Sequence, residues 1–235
     1  MNKVNPFLYQ NIDNSNHWII SEIILNQCKQ HPNNKIIQFV DGPEWSFDDL
    51  KNIAFEKAKT IRDLSINQGD TVTVMVDDPV DFIPYWVASS FLGVMFVALN
   101  TALKGSVLLH QIRLANSNVI IVSDVYYEDV AQLVQENKSK IKVLNCSKLK
   151  STGMILEKDV YHGKISDEVC TMFTSGTSGP SKGVLMPNAH CVLFAVGTIE
   201  NYKLNHEHVF YISLPLFHAN GLFMQLLACI MVGSK

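Results

Sequence analysis

Short runs of Val, Ile and other apolar residues recur along the chain, separated by stretches with apolar residues at helical spacing. The runs typical of strands are residues 35–40, 71–76, 94–99, 118–124, 141–146 and 209–214. The stretches typical of helices are residues 18–29, 45–66, 80–92, 104–115, 127–137, 188–202 and 221–231. Near-continuous apolar runs indicate strands buried on both faces. The sequence therefore predicts an α/β fold with a mostly parallel sheet, covered by helices on both faces and joined by right-handed crossovers.

Composition excludes several classes of protein. Apolar residues make up 47% and charged residues 17% of the 235 positions, which excludes a disordered polar chain and allows a sizeable core. The formal net charge of −3 gives no basic footprint, so we expect no nucleic-acid partner. The five Cys are scattered in apolar surroundings without metal-ligand spacing, which predicts buried, reduced thiols in a cytoplasmic protein. The first residues have no long apolar core after their Lys, so no secretory signal is predicted.

Two long stretches without Asp, Glu, Lys or Arg are similar in composition to membrane spans. Residues 82–99 are uncharged over 18 positions, which is the threshold length for a span. A helix that ends near Gly93 and is followed by a buried strand explains this stretch equally well. Residues 209–234 are interrupted by Pro215 and Gly221, which break a single helix. We expect no stable membrane span, and a membrane-associated protein that uses residues 82–99 stays as an alternative.

Residues 171–184, TMFTSGTSGPSKGV, pack Gly, Ser and Thr together ahead of one Lys, and runs typical of strands flank them. The glycines at positions 176, 179 and 183 permit the positive φ of a tight loop, and successive amides in such a loop can form an anion-binding nest. Hydroxyls and an ammonium group suit phosphate oxygens. A solvated Gly/Ser linker is the alternative. The predicted polyphosphate cradle comprises Thr174, Ser175, Gly176, Thr177, Ser178, Gly179 and Lys182.

The spacing in this stretch differs from two common nucleotide-binding motifs. The P-loop requires Gly before its Lys and Ser or Thr after it, whereas Lys182 is preceded by Ser181 and followed by Gly183. In addition, no G-x-G-x-x-G follows a predicted strand, so a dinucleotide-binding fold is not supported.

The segment FTSGTSGPSKGV, residues 173–184, resembles the phosphate loop of the adenylate-forming superfamily. That superfamily includes acyl-CoA synthetases, adenylation domains of peptide synthetases and luciferases, and its loop usually reads YTSGTTGxPKGV. Phe173 stands at the Tyr position, Ser178 at the second Thr, and Pro180-Ser181 where x-Pro is usual. The glycines, the hydroxyls and the lysine of the loop are kept.

A second segment, LPLFHANGLF at residues 214–223, resembles the next core motif of this superfamily, in which an aromatic–His pair follows a strand. The resemblance places Phe217 and His218 beside the acyl-substrate pocket. A single His next to an apolar strand is commonly structural, and proton transfer requires a geometry that sequence does not give. We therefore expect a role in the pocket for both residues and assign no acid or base duty to His218.

Weaker likeness extends the resemblance to residues 18–235. It rests on W-S-F-x-x-L, GDTV and LNTALK at residues 45–50, 69–72 and 99–104. The chain departs from the superfamily at Pro187-Asn188, where Ser/Thr-His is frequent, and this departure leaves the start of the following helix open.

The resemblance implies an acid–thiol ligase that uses ATP, Mg²⁺ and coenzyme A. A small carboxylic acid attacks the α-phosphate of ATP to give an acyl-adenylate and pyrophosphate, and a thiol then displaces AMP. The segment at residues 217–223 resembles that of general acyl-CoA synthetases, including the crotonobetaine/carnitine-CoA ligase-like branch, and not that of any one specificity. This resemblance implies a role in fatty acid metabolism. In this interpretation the loop holds the β- and γ-phosphates of the nucleotide.

The resemblance also implies an incomplete, acetyl-CoA-synthetase-like N-terminal AMP-binding domain over residues 1–235. Residues 17–168 are predicted to form a first α/β subdomain with its connection, and residues 169–235 the phosphate loop with the start of a second subdomain. Members of the superfamily are roughly twice as long, with a mobile C-terminal domain. The motifs that bind adenine and ribose, the hinge and the C-terminal catalytic lysine are absent from this sequence. No catalytic residue or metal ligand is therefore assigned.

The chain is thus expected to be an N-terminal fragment of an ATP-dependent carboxylic acid–CoA ligase with little or no activity alone. A catalytically dead nucleotide- or acyl-binding remnant, or an interaction module, is the alternative. The identity of the acid, the choice of coenzyme A over another thiol and the oligomeric state stay open.

Overall fold

The computed structural model describes residues 5–174 and 180–235. The chain divides into two compact units, each assembled from separate segments. The sheet unit comprises Ala54–Tyr161 and Glu168–Met186. The terminal unit comprises the chain up to Ile53, His162–Asp167 and Pro187–Lys235. The predicted subdomains, residues 17–168 and 169–235, stay a prediction.

The helices and strands follow the predicted alternation. Helices α1 to α7 are Ile20–Gln30, Phe47–Asp63, Pro79–Leu92, Gly105–Ala115, Asp124–Glu136, Asn188–Tyr202 and Ala228–Val232. Strands β1 to β8 are Lys35–Gln38, Glu44–Ser46, Thr71–Met75, Met95–Ala98, Val119–Val122, Lys142–Asn145, Glu168–Phe173 and Gly183–Pro187. A π-helical stretch, Asn220–Leu227, leads directly into α7, and single 3₁₀ turns span Ser15–His17, Cys146–Lys148 and Glu157–Asp159.

Six strands form one sheet in the order β6-β5-β3-β4-β7-β8. The pairs β3/β4, β3/β5, β4/β7 and β5/β6 are all parallel. In this register Val72 lies opposite Phe96, and Thr73 lies opposite Val97 on one side and Ile120 on the other. Helices flank the sheet, and this arrangement confirms the predicted mostly parallel α/β fold.

The core of the sheet unit lies between β3, β4 and β5 and helices α4 and α5. Every residue of β5 is buried, as expected for a strand covered on both faces. Helix α4 contributes Leu108, Ile112 and Ala115 to the same apolar cluster, and α5 contributes Val130 and Val134. Helix α4 is therefore held by its apolar face.

The uncharged residues 82–99 fold as a helix that ends near Gly93 and a strand that follows it, as predicted. Helix α3 ends at Gly93, which adopts the left-handed conformation (φ 64°), and β4 follows at Met95. Nearly all of α3 is buried within the chain. Across the described ranges, 5–174 and 180–235, no helix has both the length and the apolar character needed to cross a membrane.

Ser46 caps α2. Its Oγ accepts a hydrogen bond from Asp49 N–H (3.1 Å), and Asp49 Oδ2 accepts one from Ser46 N–H (2.8 Å). The Ser46 backbone N–H is the largest cause that lowers the pKa of the Asp49 carboxyl, followed by the Ser46 hydroxyl. This reciprocal pair satisfies two amides at the start of the helix and fixes its first residue as Phe47.

All five cysteines are free and buried, which confirms the prediction of reduced, buried thiols. Burial raises the pKa of Cys28 to about 12 and the pKa values of Cys146 and Cys229 to about 11. These thiols are therefore protonated, and hence poor nucleophiles, at neutral pH.

The predicted strand over residues 209–214 is wrong. These residues form no regular strand, and Val209 and Tyr211 are 77% and 75% exposed. Phe210 N–H donates to Lys235 O (2.7 Å) and Lys235 N–H donates to His208 O (3.2 Å), which is a single parallel bridge. An apolar run becomes a strand only where a neighbouring backbone continues the ladder, and one bridge does not supply that.

Helix α6 begins at Asn188, where the sequence departs from the superfamily pattern. The first amides of the helix donate to backbone carbonyls: Asn188 N–H to Asp167 O and Ala189 N–H to Ile165 O, both at 3.0 Å. The buried Asn188 side chain accepts from Ile20 N–H (3.0 Å) and donates to Lys164 O (3.0 Å). Asn188 therefore ties α6, α1 and the segment His162–Asp167 together within the terminal unit.

Asn188→Ala is expected to lower the free energy of unfolding by about 1–3 kcal/mol, because it removes two hydrogen bonds and leaves buried partners unpaired. Asn201→Ala is the matched control on the same helix, since its exposed side chain donates to Gly197 O (2.7 Å) within the same helix. Its expected effect is within about 0.5 kcal/mol. Urea unfolding of the three proteins measures both effects. Equal losses for the two variants would contradict the structural role given to Asn188.

Candidate functional site

The candidate phosphate loop follows β7, one of the parallel strands of the sheet. Strand β7 runs parallel to β4 and ends at Phe173, and Thr174 follows it directly. Since β3, β4, β5 and β7 are parallel, Thr174 lies at the edge of the sheet formed by the carboxyl ends of the strands. Ligands of open α/β sheets usually bind at that edge.

Thr174 and Lys182, at the two ends of this loop, are joined by two hydrogen bonds. Thr174 N–H donates to Lys182 O (3.0 Å), and Lys182 N–H donates to Thr174 Oγ1 (3.2 Å). The remaining predicted cradle residues, Ser175, Gly176, Thr177, Ser178 and Gly179, lie outside the described residues. The structure thus brings together the first and last members of the predicted set.

Lys182 carries the positive charge of the site. Its side chain is exposed, and within residues 5–174 and 180–235 its ammonium group has no ion-pair partner. An ammonium that no carboxylate neutralises is suited to an anionic ligand. The chemistry of this position therefore fits a phosphate.

The structure does not support the positive φ that the sequence predicts for Gly183. Gly183 opens β8 without the positive φ expected for a tight loop. A Cβ at this position would lie 3.0 Å from Thr171 Cγ2 and 3.6 Å from Phe173 Cε1. The requirement is therefore for space against β7, not for backbone freedom.

Ser181, the residue before Lys182, is held by helix α4. His110 Nε2 lies 2.9 Å from Ser181 O, and Gln111 Nε2 donates to Ser181 Oγ (3.0 Å). The sequence does not single out either residue, because they precede Ser181 by 71 and 70 positions and carry no motif. Only the packing of α4 against the sheet brings them to the loop.

Phe217 and His218 lie in the terminal unit, whereas Thr174 and Lys182 belong to the sheet unit. The Phe217 ring is half-buried and meets the exposed His218 ring edge-on, with centroids 4.7 Å apart. His218 N–H donates to Pro215 O and His218 O accepts from Leu222 N–H, each at 3.1 Å. The pair therefore stands at the turn that starts the π-helical stretch.

The structure explains the glycine at position 221, within the segment LPLFHANGLF. A Cβ at this position would lie 2.8 Å from Pro215 O and 2.9 Å from Leu214 O. These are backbone atoms, which cannot move aside as a flexible side chain can. Glycine therefore lets the chain turn back closely on the segment that carries Phe217 and His218.

We assign no metal ligand. The described part of the chain contains no group of three or more His, Cys, Asp and Glu side chains that could hold a metal ion. Mg²⁺ bound to a nucleotide usually takes most of its ligands from phosphates and water. Within residues 5–174 and 180–235 the side chains therefore supply no cage for Mg²⁺.

Comparison with known proteins identifies the family. The sequence model of a family described as AMP-binding enzyme matches residues 24–235. The chain belongs to the AMP-binding enzyme family. This assignment confirms the resemblance drawn from residues 173–184 and 214–223.

Curated members of the AMP-binding family that match the chain include acid–CoA ligases. The 2-succinylbenzoate–CoA ligase of Oceanobacillus iheyensis is 28% identical over 208 residues, which are 88% of this chain and 41% of the relative. The 4-coumarate–CoA ligase of Vanilla planifolia is 24% identical over 81% of this chain and 37% of the relative. The chain therefore spans about two fifths of the length of these relatives.

A solved structure supports the same fold. The O-succinylbenzoate coenzyme A synthetase of Bacillus subtilis, in complex with AMP, superposes with a TM-score of 0.79 at 21% identity. The match covers 90% of this chain and 54% of that protein. It confirms the prediction that the chain has the fold of the N-terminal part of an adenylate-forming enzyme.

Proposed function

We propose that the whole protein is an ATP-dependent carboxylic acid–CoA ligase, in which this chain supplies the loop that binds the ATP phosphates. The observation that carries the proposal is the closed loop at the carboxyl edge of the sheet, with the exposed Lys182 at its exit. Membership of the AMP-binding family supports it. The proposed phosphate ligands are Thr174, Ser175, Gly176, Thr177, Ser178, Gly179 and Lys182.

In the proposed reaction a carboxylate oxygen of the acid forms a bond to the α-phosphorus of ATP. The bond from that phosphorus to the bridging oxygen breaks, and pyrophosphate leaves with the electron pair. The thiol of coenzyme A then loses its proton to solvent, its sulfur bonds to the acyl carbon, and AMP leaves with the electron pair of the broken acyl–oxygen bond. Charge builds up on pyrophosphate in the first step, so fixed positive groups at that position favour it.

The part of this reaction given to the described residues is the stabilisation of the leaving pyrophosphate. The Lys182 ammonium neutralises charge on the β- and γ-phosphates. The two hydrogen bonds between Thr174 and Lys182 hold the backbone at the loop exit in place before the nucleotide arrives. Such preorganisation costs nothing at the moment of reaction, which makes it effective in catalysis.

We propose that Phe217 and His218 shape part of the acid pocket. The half-buried Phe217 ring offers an apolar surface, and the exposed His218 ring offers a polar edge beside it. The substrate class is a small carboxylic acid, and 2-succinylbenzoate, 4-coumarate and a fatty acid form the test panel. A cytoplasmic location is supported by the five free, buried thiols.

A second candidate is a binding protein without catalysis, which retains the phosphate loop alone. The hydrogen bonds that join Thr174 and Lys182 support phosphate binding, which this candidate needs and which does not require turnover. Both candidates bind phosphate. They differ in whether the protein encoded by the complete reading frame catalyses the reaction.

Residues 1–235 alone are expected to show no acid-dependent exchange between ATP and labelled pyrophosphate, because catalysis needs the rest of the ligase. The same assay on the product of the complete reading frame is expected to show exchange with at least one acid of the panel. Thioester formation with coenzyme A follows as the second readout. Turnover by residues 1–235 would contradict the first expectation. A folded complete product that binds pyrophosphate yet exchanges with none of the acids would favour the binding protein.

A further inference from the structure

Two adjacent residues of α4 contact the residue before Lys182 at two separate points. His110 Nε2 lies 2.9 Å from the backbone oxygen of Ser181, and Gln111 Nε2 lies 3.0 Å from its hydroxyl. All three residues belong to the sheet unit. We call the pair His110 and Gln111 the α4 clamp.

The chemistry of the first contact fixes the role of the histidine. A carbonyl oxygen only accepts hydrogen bonds, so His110 Nε2 must carry a hydrogen. Both the neutral tautomer with Nε2–H and the imidazolium satisfy this requirement. His110 is therefore the donor in the hydrogen bond to Ser181 O.

The second contact is made by a buried glutamine. Gln111 is 5% exposed, and its Oε1 is buried without a hydrogen-bond partner among the described residues. A hydroxyl both donates and accepts, so either orientation of the amide keeps one hydrogen bond to Ser181 Oγ. A buried amide with one unsatisfied atom costs stability relative to an apolar side chain of the same size. Stability of α4 therefore does not explain glutamine at this position.

The helix that carries the α4 clamp packs against the apolar core of the sheet unit. Leu108 and Ile112, which flank the clamp in α4, belong to the apolar core of the sheet unit. Ser181 is thereby fixed to the core through α4, and Lys182 is fixed to β7 through Thr174. Two consecutive residues are therefore held: α4 binds Ser181, and Thr174 binds the backbone of Lys182.

We propose that His110 and Gln111 are positioning residues that hold the loop exit so that Lys182 presents its ammonium group to the ligand phosphates. The inference rests on the proposed function, since it assumes that Lys182 binds phosphate. Neither residue touches the phosphates, and both act through Ser181. Their loss is expected to weaken phosphate binding without unfolding the protein.

The test is calorimetric titration of the full 235-residue chain with inorganic pyrophosphate. Gln111→Leu and His110→Leu are each expected to weaken binding about threefold to tenfold, the range of one net hydrogen bond. His110→Gln is expected to restore near-wild-type affinity, because its amide N–H can replace the imidazole donor. Gln132→Leu is the control, since that exposed glutamine of α5 donates a hydrogen bond to Glu136 (2.7 Å) on the same helix. Thermal unfolding of each variant is measured alongside.

A double-mutant cycle separates positioning from a structural effect. Ser181→Ala removes the hydroxyl that Gln111 contacts, so Gln111→Leu is expected to cause no further loss of affinity in that background. Losses that multiply in the double variant would overturn the inference. So would an unchanged affinity of both Gln111→Leu and His110→Leu.

The same titration distinguishes failure of the inference from failure of the proposed function. If the wild-type chain binds pyrophosphate and Lys182→Ala does not, while the clamp variants bind normally, only the clamp is overturned. If the wild-type chain does not bind pyrophosphate at all, the phosphate loop itself is overturned, and the clamp with it. If Gln111→Leu does not fold, His110→Leu and its rescue by His110→Gln decide the matter.

Discussion

Replacement of Lys182 by Ala is expected to weaken the binding of inorganic pyrophosphate to this chain by about tenfold to a hundredfold. The reason is the loss of a charge-assisted hydrogen bond, which contributes about 1.5–3 kcal/mol. The Lys182 side chain is exposed, so its removal leaves no cavity and no unpaired buried group. Thermal stability is therefore expected to stay unchanged while affinity falls. Calorimetric titration gives the affinity, and a melting curve gives the stability.

Two further variants make the lysine experiment specific. Lys104→Ala removes another exposed ammonium from the same unit, which pairs with Asp129 at 3.7 Å on the surface. Because that lysine precedes α4 and is not part of the loop, its loss is expected to change affinity by less than about twofold. Lys182→Arg keeps the charge and is expected to retain most of the affinity. Equal losses for Lys182→Ala and Lys104→Ala would indicate a general charge effect instead of a site.

Gly93→Ala is expected to cause the largest loss of stability among the substitutions considered for this chain, about 2–5 kcal/mol. Gly93 ends α3 with φ of 64°, a conformation that costs a residue with a Cβ about 1–2 kcal/mol. The added Cβ would also lie 2.5 Å from Tyr161 Cδ1, so the ring would have to move. Tyr161 N–H donates to Phe91 O (2.7 Å), which ties that residue to the end of the helix and limits such movement.

Gly69 offers a matched control for this substitution. It has φ of 83°, but a Cβ there would meet nothing within 4 Å, so Gly69→Ala isolates the conformational strain. We expect it to cost about 1–2 kcal/mol. Urea unfolding of both variants gives the difference, which reports the clash with Tyr161. If the two variants lose the same stability, the close packing of Gly93 and Tyr161 is wrong.

The fold is predictable from sequence where local pattern and tertiary environment agree. The apolar run of residues 118–124 predicts a strand buried on both faces, and β5 is that strand. Ser46 with Asp49 gives a helix start, because the cap is made within four residues. The run of residues 209–214 has the same local pattern and forms no ladder, because a strand also requires a partner from elsewhere in the chain.

The candidate site is predictable only as a set of residue types. Thr174 and Lys182 are recognisable from the loop sequence, and the structure joins them by two hydrogen bonds. The contacts of His110 and Gln111 with Ser181 cannot be recognised from sequence, because they depend on how α4 packs on the sheet. Glycine positions show the same limit. Gly221 is explained by the approach of two carbonyl oxygens, which no local pattern encodes.

Recognition of a nucleotide by its phosphates, through the loop between β7 and β8, is the function proposed for this chain. Its most direct test is the titration of residues 1–235 with ATP, inorganic pyrophosphate and adenosine under the same conditions. We predict that ATP and pyrophosphate bind with affinities within about tenfold of each other and compete for one site, whereas adenosine does not bind. Binding of adenosine as tight as that of ATP, or ATP binding that pyrophosphate does not displace, would contradict the proposal.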